Sequence, residues 1–579
     1  MADFADVTDA PKSYDLPLLE ALARDLSAVN YTVDGVRELL GDAAQEAFNR
    51  DQLVPARLVT MHDGRPLAVV VRLWLLAEPV VPAALTAAFP ETGIAGLLAL
   101  GLAREETDPQ SDAELVVAAV DLRPYGWPAN SDGSGGADLW VASDLGAHQR
   151  SGVLPKDHVL GIGQASLTLA QSTIRHHVQR ALDLGTGCGI QTFHLLHHAQ
   201  HVVATDISER ALAFTRFNLL LNAVALHIDP RQPEDRVELR HGTLLEPVRG
   251  DSFDLVVSNP PFVITPRHQG ERAGDRFTYR DGGMPGDDLV AELVAALPQV
   301  LSPGGMAQML GNWEIRGDED GEGRARDAVQ AGDEAPAEVA APAEDAGPAE
   351  DAGPADRGHH WYSRPRSWVA AGTDAWFIQR EEIGPLQYAE TWLRDASESR
   401  DRASYEQAYA DYLEDFDSRR VRAIGFGMIW LRRPANQQTG NAGILRFEEI
   451  RHPVEQPIGP HLAAAVERAD WLAAADLPSA HLVVADDVTE ERHQRPGAEH
   501  PGVILLRQGA GLRRTNLMST ELAGFVSACD GELSAGQIAS ALSALLTWED
   551  DDAGAQARIG QLLADVGNLV LDGFLIPVG

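Results

Sequence analysis

The chain has 579 residues, of which 44% are apolar and 23% charged, and its formal net charge is −39. A single hydrophobic core does not organise a chain of this length, so we expect three folded units and a linker. The acidity disfavours a dedicated nucleic-acid binder, because such proteins meet phosphate groups with a basic face, but it leaves room for one locally basic groove.

Cysteine content and apolar patterning bear on compartment and partners. Cys188 and Cys529 are too few for a disulfide framework and wrongly spaced for a zinc site, which predicts a reducing compartment, the cytoplasm, and no metal. Residues 1–6 lack the basic and apolar segments of a secretory signal. The longest apolar region, 67–90, is interrupted by Arg72 and Glu78, so we expect no membrane partner.

Residues 1–150 predict an N-terminal domain of helices followed by short strands. Apolar residues recur at helical spacing, and a strand-like run comes after them. This is the order of a winged-helix module, with either a partner-binding or a plain packing role. The helical segments are 18–26 and 33–40, and the apolar segments 80–85 and 94–102 lead into the strand-like segment 114–120.

Residues 151–435 alternate strands and helices, as α/β proteins with a doubly wound parallel sheet do. Helices such as 209–222 and 289–301 fall between the predicted strands. The seven predicted strands are 181–185, 201–206, 237–242, 253–258, 307–313, 375–381 and 423–432.

Two insertions interrupt this alternation. Residues 316–358 hold 13 acidic residues against 4 arginines and repeat the sequence Pro-Ala-Glu-Asp-Ala-Gly at 342–347 and 348–353. Because apolar residues are scarce there, we predict a disordered segment, with a regulatory or docking tail as the alternative. Residues 386–420 predict amphipathic helix whose aromatic stripe packs on the sheet, at a place where it can wall the ligand side.

Residues 436–579 predict a polar linker and a second small domain. Helical segments near 519–526 and 534–539 precede the apolar end at 569–576, and the whole is interpreted as helices closed by a small wing. The order again resembles a winged-helix module, either a peptide-binding accessory domain or a structural cap.

A glycine-rich turn follows the first predicted strand of the α/β segment, at residues 183–189, Asp-Leu-Gly-Thr-Gly-Cys-Gly. Glycines there allow a tight turn and close approach of a ligand to the backbone. Asp206 ends the next strand, where a carboxylate can accept both hydroxyl hydrogens of a ribose. Dinucleotide dehydrogenases share this logic, so the turn indicates a nucleoside cofactor without choosing its type.

The turn Asn259-Pro260-Pro261-Phe262 narrows the choice of cofactor and reaction. It ends the fourth predicted strand, at the edge where open α/β sheets bind ligands. A planar NH₂ group offers two hydrogens, and the Asn259 side-chain oxygen and the Pro260 carbonyl can accept one each. Phe262 can stack on the plane of an amide or a base. The turn therefore indicates methyl transfer to a planar nitrogen, achieved mainly by positioning.

With these two motifs, residues 155–435 resemble the class I S-adenosylmethionine-dependent methyltransferases. The similar branch methylates nitrogen and includes release-factor glutamine methyltransferases and adenine and guanine amino methyltransferases. The resemblance implies a seven-stranded Rossmann-like domain at 151–435 and S-adenosyl-L-methionine as cofactor. The N-terminal domain, 1–150, would then recognise substrate.

The same resemblance implies roles for individual residues. Residues 264–286 would form a lid over the acceptor, or else a mobile surface loop. The implied catalytic residues are Asn259, Pro260, Pro261 and Phe262. The implied cofactor contacts are Asp183, Gly185 and Gly187 at the methionine end, Asp206 at the ribose, Thr243 and Leu244 beside the adenine, and Gln164 in the segment that closes over the cofactor.

The acceptor stays open between two classes. Release-factor enzymes usually carry Tyr where this chain has Phe262, and Phe is frequent in the branch that methylates guanine in ribosomal RNA, yet Val263 and Ile264 are nearer the release-factor pattern. Acidity and two accessory domains favour a protein glutamine, in a release-factor-like partner, over RNA or DNA. A scaffold that binds the cofactor without transferring methyl is a distant alternative.

Overall fold

The computed structural model describes residues 2–109, 111–127, 136–150, 154–267, 280–317, 360–395, 402–435, 443–546, 548 and 552–578. The predicted disordered insertion at 316–358 and the start of the predicted linker at 436 lie almost wholly outside these residues.

The N-terminal part consists of helices followed by two antiparallel strand pairs. Helices and strands lie where the sequence places the segments 18–26, 33–40 and 114–120, and further helices lie between them. The elements are α1 (Leu16–Ala28), α2 (Val33–Leu40), α3 (Asp42–Phe48), α4 (Val54–Thr60), α5 (Pro66–Trp74), α6 (Pro82–Ala88), α7 (Gly93–Ala99), β1 (Ala103–Thr107), β2 (Glu114–Ala118), β3 (Asp121–Trp127) and β4 (Ala137–Ser143).

A mixed eight-stranded sheet lies at the centre of the molecule. Its strands are β5 (Val178–Leu184), β6 (Ala199–Asp206), β7 (Val237–His241), β8 (Phe253–Ser258), β9 (Leu301–Arg316), β10 (Asp374–Ile383), β11 (Val421–Arg432) and β12 (Leu445–Glu449). Their order is β7-β6-β5-β8-β9-β11-β10-β12. Strands β7 to β9 pair in parallel, whereas β11 is antiparallel to both of its neighbours.

The prediction of seven strands is corrected to eight. All seven predicted strands are present, and β12 extends the sheet by pairing in parallel with β10. Its residues follow the predicted linker, and their apolar alternation is weak because charged side chains occupy it. Arg446 of β12 lies over the ring of Trp376 on β10, and the Trp376 indole donates to Glu448 at 2.8 Å. These cross-strand contacts hold the edge strand together with Phe447, whose ring stacks on that of Phe377 with 5.3 Å between centroids.

Helices cover both faces of this sheet. They are α8 (Gln164–Ser172), α9 (Ile190–Leu195), α10 (Glu209–Leu221), α11 (Asp288–Ala296), α12 (Ser363–Trp368), α13 (Pro385–Asp395) and α14 (Arg402–Ser418). The last two form the predicted helical insertion. Tyr412 and Phe416 of the aromatic stripe are buried, and Tyr405 and Tyr409 are partly buried beside them, so the stripe packs as predicted.

The N-terminal elements dock on α10 through two buried asparagines. Asn222 and Asn218 each bond the backbone of β4 with both amide atoms, at residues 140 and 142, over distances of 2.7–2.9 Å. Asn218 also donates to the carbonyl of Cys188 in the glycine-rich turn, at 2.9 Å. One side chain therefore links the N-terminal part to that turn.

The C-terminal part holds two three-stranded sheets and four helices in the residues described. The elements are α15 (Gly459–Ala474), β13 (His481–Val484), β14 (Val488–His493), β15 (Val503–Gln508), β16 (Thr515–Leu517), α16 (Thr520–Ser527), β17 (Asp530–Ser534), α17 (Ala535–Leu545), α18 (Asp552–Asp572) and β18 (Leu575–Pro577). Arg514 and Asp572 join the charged group around β12, which fixes this part to the sheet edge. No helix in the described ranges is both long and apolar enough to cross a membrane.

Candidate functional site

The two motifs meet where neighbouring parallel strands end. The order of the sheet reverses between β5 and β8, and open α/β sheets bind ligands at the carboxyl ends of such strands. The Ser258 hydroxyl donates to the carbonyl of Leu184 at 2.8 Å and ties the two ends together. The glycine-rich turn and the Asn259 turn therefore begin at two strand ends that are bonded to each other.

The glycine-rich turn after β5 presents backbone to open space. Gly185 and Gly187 have φ angles of +77° and +58°, which glycine adopts without strain. A Cβ atom added to either residue would meet no heavy atom within 4 Å, so both face outward from the protein core. The turn forms a concave backbone surface that a ligand can approach closely.

Asp183 lies beneath this turn, and one of its carboxylate oxygens is hydrogen-bonded while the other has no partner in the described structure. Its Oδ2 accepts bonds from the Thr186 hydroxyl at 2.8 Å and from the Thr192 amide and hydroxyl at 2.9 and 2.6 Å. Its Oδ1 is buried and has no hydrogen-bond partner within the described structure. Burial raises the pKa of Asp183 to about 6, because these bonds offset only part of the desolvation. The free oxygen suits a cationic donor.

Asp206 ends β6 beside the same turn. Its two oxygens accept from the backbone amides of Gly187 at 3.0 Å and Ser208 at 2.8 Å. Burial raises the pKa of Asp206, while these amides lower it. Each carboxylate oxygen has a second lone pair, so both can still accept a ribose hydroxyl. The next residue, Ile207, is 54% exposed and offers an apolar face that the sequence analysis did not include.

The remaining predicted cofactor residues lie around this centre. The Gly242 amide donates to the carbonyl of Asp206 at 3.0 Å, which places the exposed Thr243 and the half-buried Leu244 beside the end of β6. Leu244 has a φ of +48°, an uncommon conformation for a branched side chain. Gln164 begins α8, is exposed, and bonds Thr168 of its own helix at 3.4 Å. Its role in closing over the cofactor stays a prediction.

The Asn259 turn carries the second unpartnered acceptor of the site. The Oδ1 atom of Asn259 is buried and has no hydrogen-bond partner among the described residues. Leaving a buried polar atom unsatisfied costs about 1–3 kcal/mol, so such atoms call for an explanation. A donor supplied by a ligand is the explanation that fits an acceptor at this edge of the sheet.

Phe262 and Val263 pair with Asp281 and Arg280, which lie towards the end of the predicted lid segment, 264–286. Phe262 forms a β-bridge with Asp281, and the Val263 amide donates to the carbonyl of Arg280 at 2.9 Å. Arg267 and Asp281 form an ion pair at the same base, with a contact of 2.9 Å. The two described ends of the segment 264–286 are thus paired, and Tyr279 falls outside the described residues.

The insertion helix α13 also contacts this region, through a residue that no sequence pattern predicts. The hydroxyl of Tyr388 accepts a bond from the Ile264 amide at 2.7 Å. Tyr388 lies outside the stripe at 405–416, and 124 residues separate it from Ile264, so no local pattern identifies it. Within the described ranges, no group of three or more His, Cys, Asp or Glu side chains is placed to hold a metal ion.

Comparisons with known proteins find similarity to parts of this chain. The family described as "Methyltransferase small domain" matches residues 146–316, and a domain family of unknown function, DUF7059, matches residues 28–114. Among solved structures, the chain is similar to the T. thermophilus 16S rRNA N2 G1207 methyltransferase in complex with AdoMet and guanosine. That match has a TM-score of 0.21 and 18% identity, and covers 38% of this chain and 52% of that chain.

Curated relatives match the same central region. A ribosomal protein uL3 glutamine methyltransferase of Bradyrhizobium diazoefficiens is 30% identical over 27% of this chain and 46% of its own length. A release factor glutamine methyltransferase of Geobacter sulfurreducens is 34% identical over 22% of this chain and 44% of its own length. The chain thus spans about half the length of these relatives. The central part of the chain is thus similar to a methyltransferase domain family and to glutamine methyltransferases.

Proposed function

We propose that the chain transfers a methyl group from S-adenosylmethionine to a planar amide nitrogen, and that this nitrogen is a protein glutamine. The observation that carries the proposal is the buried, unpartnered Oδ1 of Asn259 at the carboxyl end of β8. An acceptor oxygen kept without a donor in the protein fits a substrate that brings an N–H group.

The residues around the glycine-rich turn fit the cofactor. Asp183 Oδ1 can receive the ammonium group of its methionine end, Gly185 and Gly187 leave room for its chain, and Asp206 can receive its ribose hydroxyls. Ile207 supplies an apolar surface for a base. When bound, S-adenosylmethionine supplies an electrophilic methyl group on a sulfonium.

The Asn259–Phe262 turn orients the nitrogen that accepts the methyl group. The Asn259 Oδ1 atom and the Pro260 carbonyl each accept one hydrogen of the planar NH₂ group. Fixing both hydrogens draws the nitrogen out of conjugation and directs its lone pair towards the donor, while Phe262 stacks on the acceptor plane. The nitrogen that accepts the methyl group would then release one of its two hydrogens to water as a proton, and the sulfonium would be left as a thioether. This proton is strongly acidic while the nitrogen carries positive charge, so catalysis is mainly positioning and needs no strong base.

A protein glutamine is favoured over a nucleic-acid amine. The two relatives are named as glutamine methyltransferases of proteins, and the net charge of −39 repels a phosphate backbone. Phe262, with no hydroxyl, keeps an adenine or guanine amino group as the second candidate. A scaffold that binds the cofactor without transferring methyl has no use for the Asn259 acceptor.

We also propose a division of labour along the chain. Residues 1–150 would recognise substrate, 151–435 would carry the chemistry, and 436–579 would form an accessory module, with both terminal parts winged-helix-like. Support comes from the hairpin β1–β2 after the N-terminal helices and from the capped helices α16 and α17 near β18.

The test is methyl transfer into an extract from a strain that lacks this protein. The purified chain is incubated with the extract and radiolabelled S-adenosylmethionine, and the product is then divided between protease and nuclease. We expect label that protease releases and that peptide sequencing by mass spectrometry places on a glutamine side chain. Label released only by nuclease would favour the base amine, and cofactor binding with no label in any fraction would favour the scaffold.

A further inference from the structure

We propose that Tyr388, on the insertion helix α13, is a positioning residue that holds the Asn259–Phe262 turn for methyl transfer. The inference rests on the proposed function, because it assigns the insertion a task in the same site. Nothing in the central methyl-transfer motifs requires such a residue, and it reaches the turn from an insertion between β10 and β11.

The hydroxyl of Tyr388 joins two backbone regions that are far apart in sequence. It accepts from the Ile264 amide at 2.7 Å and from the Asn312 side-chain amide at 3.2 Å. Tyr388 and Asn312 are both fully buried, and Ile264 packs in the same apolar cluster as Tyr388. The Asn312 Oδ1 atom has no partner within the described structure, so reversing that amide would only exchange which atom the hydroxyl contacts.

The turn depends on such contacts because its prolines cannot supply them. Pro260 and Pro261 have no backbone N–H, and among the described hydrogen bonds the amides of Val263 and Ile264 are the donors just beyond the turn. The Val263 amide bonds the Arg280 carbonyl at 2.9 Å, and the Arg280 guanidinium donates to the Trp392 carbonyl at 2.9 Å. Trp392 lies one helical turn after Tyr388. Helix α13 therefore holds both amides, one directly and one through Arg280.

Loss of the hydroxyl would act on turnover rather than on cofactor binding. Tyr388→Phe keeps the ring in its apolar cluster and leaves the buried Ile264 amide without an acceptor, so the segment must shift or take up water. Displacing a reactive arrangement by about 1 Å lowers rates by roughly a hundredfold. The glycine-rich turn and Asp206, which hold the cofactor, make no contact with this hydroxyl in the described hydrogen bonds.

The experiment compares Tyr388→Phe with a matched control, Tyr409→Phe, in the full chain. Tyr409 belongs to the same insertion, and its hydroxyl contacts Glu390 at 3.4 Å, between α14 and α13 and away from the turn. Three quantities are measured for each protein: hydrogen exchange of peptides spanning 259–266, the affinity for S-adenosylmethionine, and kcat with KM for the acceptor. Arg280→Met removes the second link and serves as an independent variant if Tyr388→Phe folds poorly.

We expect Tyr388→Phe to speed exchange in the 259–266 peptides and to lower kcat roughly ten- to hundredfold, with cofactor affinity within about twofold of wild type. Tyr409→Phe should leave all three unchanged. Unchanged exchange, or faster exchange with unchanged kcat, would overturn the inference. So would parallel losses of kcat and cofactor affinity, since these indicate a general structural defect. If wild-type protein binds cofactor but methylates nothing, the proposed function fails alone, and exchange still decides whether Tyr388 holds the turn.

Discussion

Replacing Asp183 with asparagine tests how much the buried charge of Asp183, beneath the glycine-rich turn, destabilises the folded protein. Asp183 is fully buried, and its pKa of about 6 lies above the ordinary value of 3.8. A raised folded-state pKa means that the folded protein binds the proton more tightly than the unfolded chain. The contribution of this proton binding to the free energy of unfolding is fully present below pH 3.8 and is lost as the pH rises through about 6. A shift of about two units corresponds to about 3 kcal/mol.

Asp183→Asn removes this ionisation and keeps an oxygen for the hydroxyls of Thr186 and Thr192. The free energy of unfolding of the variant, minus that of wild type, should therefore rise by about 2.4 kcal/mol between pH 4 and pH 7, since a small part of the full effect already falls below pH 4. Urea unfolding of the cofactor-free proteins at a series of pH values measures this difference. A difference that stays constant across the range would refute the account of Asp183 as an undercompensated buried carboxylate.

The same titration should appear in cofactor binding. The ammonium group of S-adenosylmethionine favours ionised Asp183, so wild-type affinity should weaken as the pH falls below about 6 and binding should release protons near that pH. Calorimetry in two buffers of different ionisation enthalpy detects the release. The affinity of Asp183→Asn should be lower and should vary less with pH. Equal pH profiles in both proteins would place the ammonium elsewhere.

Two further predictions separate the halves of the site. Asp206→Ala should weaken S-adenosylmethionine binding by about 1–3 kcal/mol, since it removes a charged acceptor from the ribose, and unchanged affinity in calorimetry would move the ribose site. Phe262→Ala should raise KM for the acceptor and lower kcat while cofactor affinity stays near wild type, because the proposed stacking partner of the ring is the acceptor and not the cofactor. An equal loss of cofactor affinity would contradict that assignment.

Sequence reasoning succeeded where a motif and its geometry are local. The glycine-rich turn needs positive φ angles at Gly185 and Gly187, and the residue types alone indicate it. The Asn259 turn follows a largely apolar strand, so both its position and its sheet edge could be predicted. Aromatic spacing at 405–416 likewise predicted a packed helix, which α14 confirms.

The features that sequence reasoning missed depend on contacts between distant residues. Asn218 bonds the backbone of residue 142 across 76 positions and the carbonyl of Cys188 across 30, and asparagine in a helix carries no local sign of such a role. Tyr388 reaches Ile264 across 124 positions. Strand β12 depends on arginine and tryptophan side chains of other elements. These arrangements arise from tertiary packing, which periodicity does not encode.

The measurement that tests the central claim most directly is Asn259→Ala, assayed for methyl transfer and for cofactor binding in the same preparation. The account predicts that turnover falls by at least roughly a hundredfold, the scale of losing one positioned hydrogen-bonding group in a reaction centre. It predicts S-adenosylmethionine affinity within about twofold of wild type, because the Asp183 and Asp206 contacts are intact. Turnover close to wild type would contradict the assignment of Asn259 as the acceptor of the substrate N–H group.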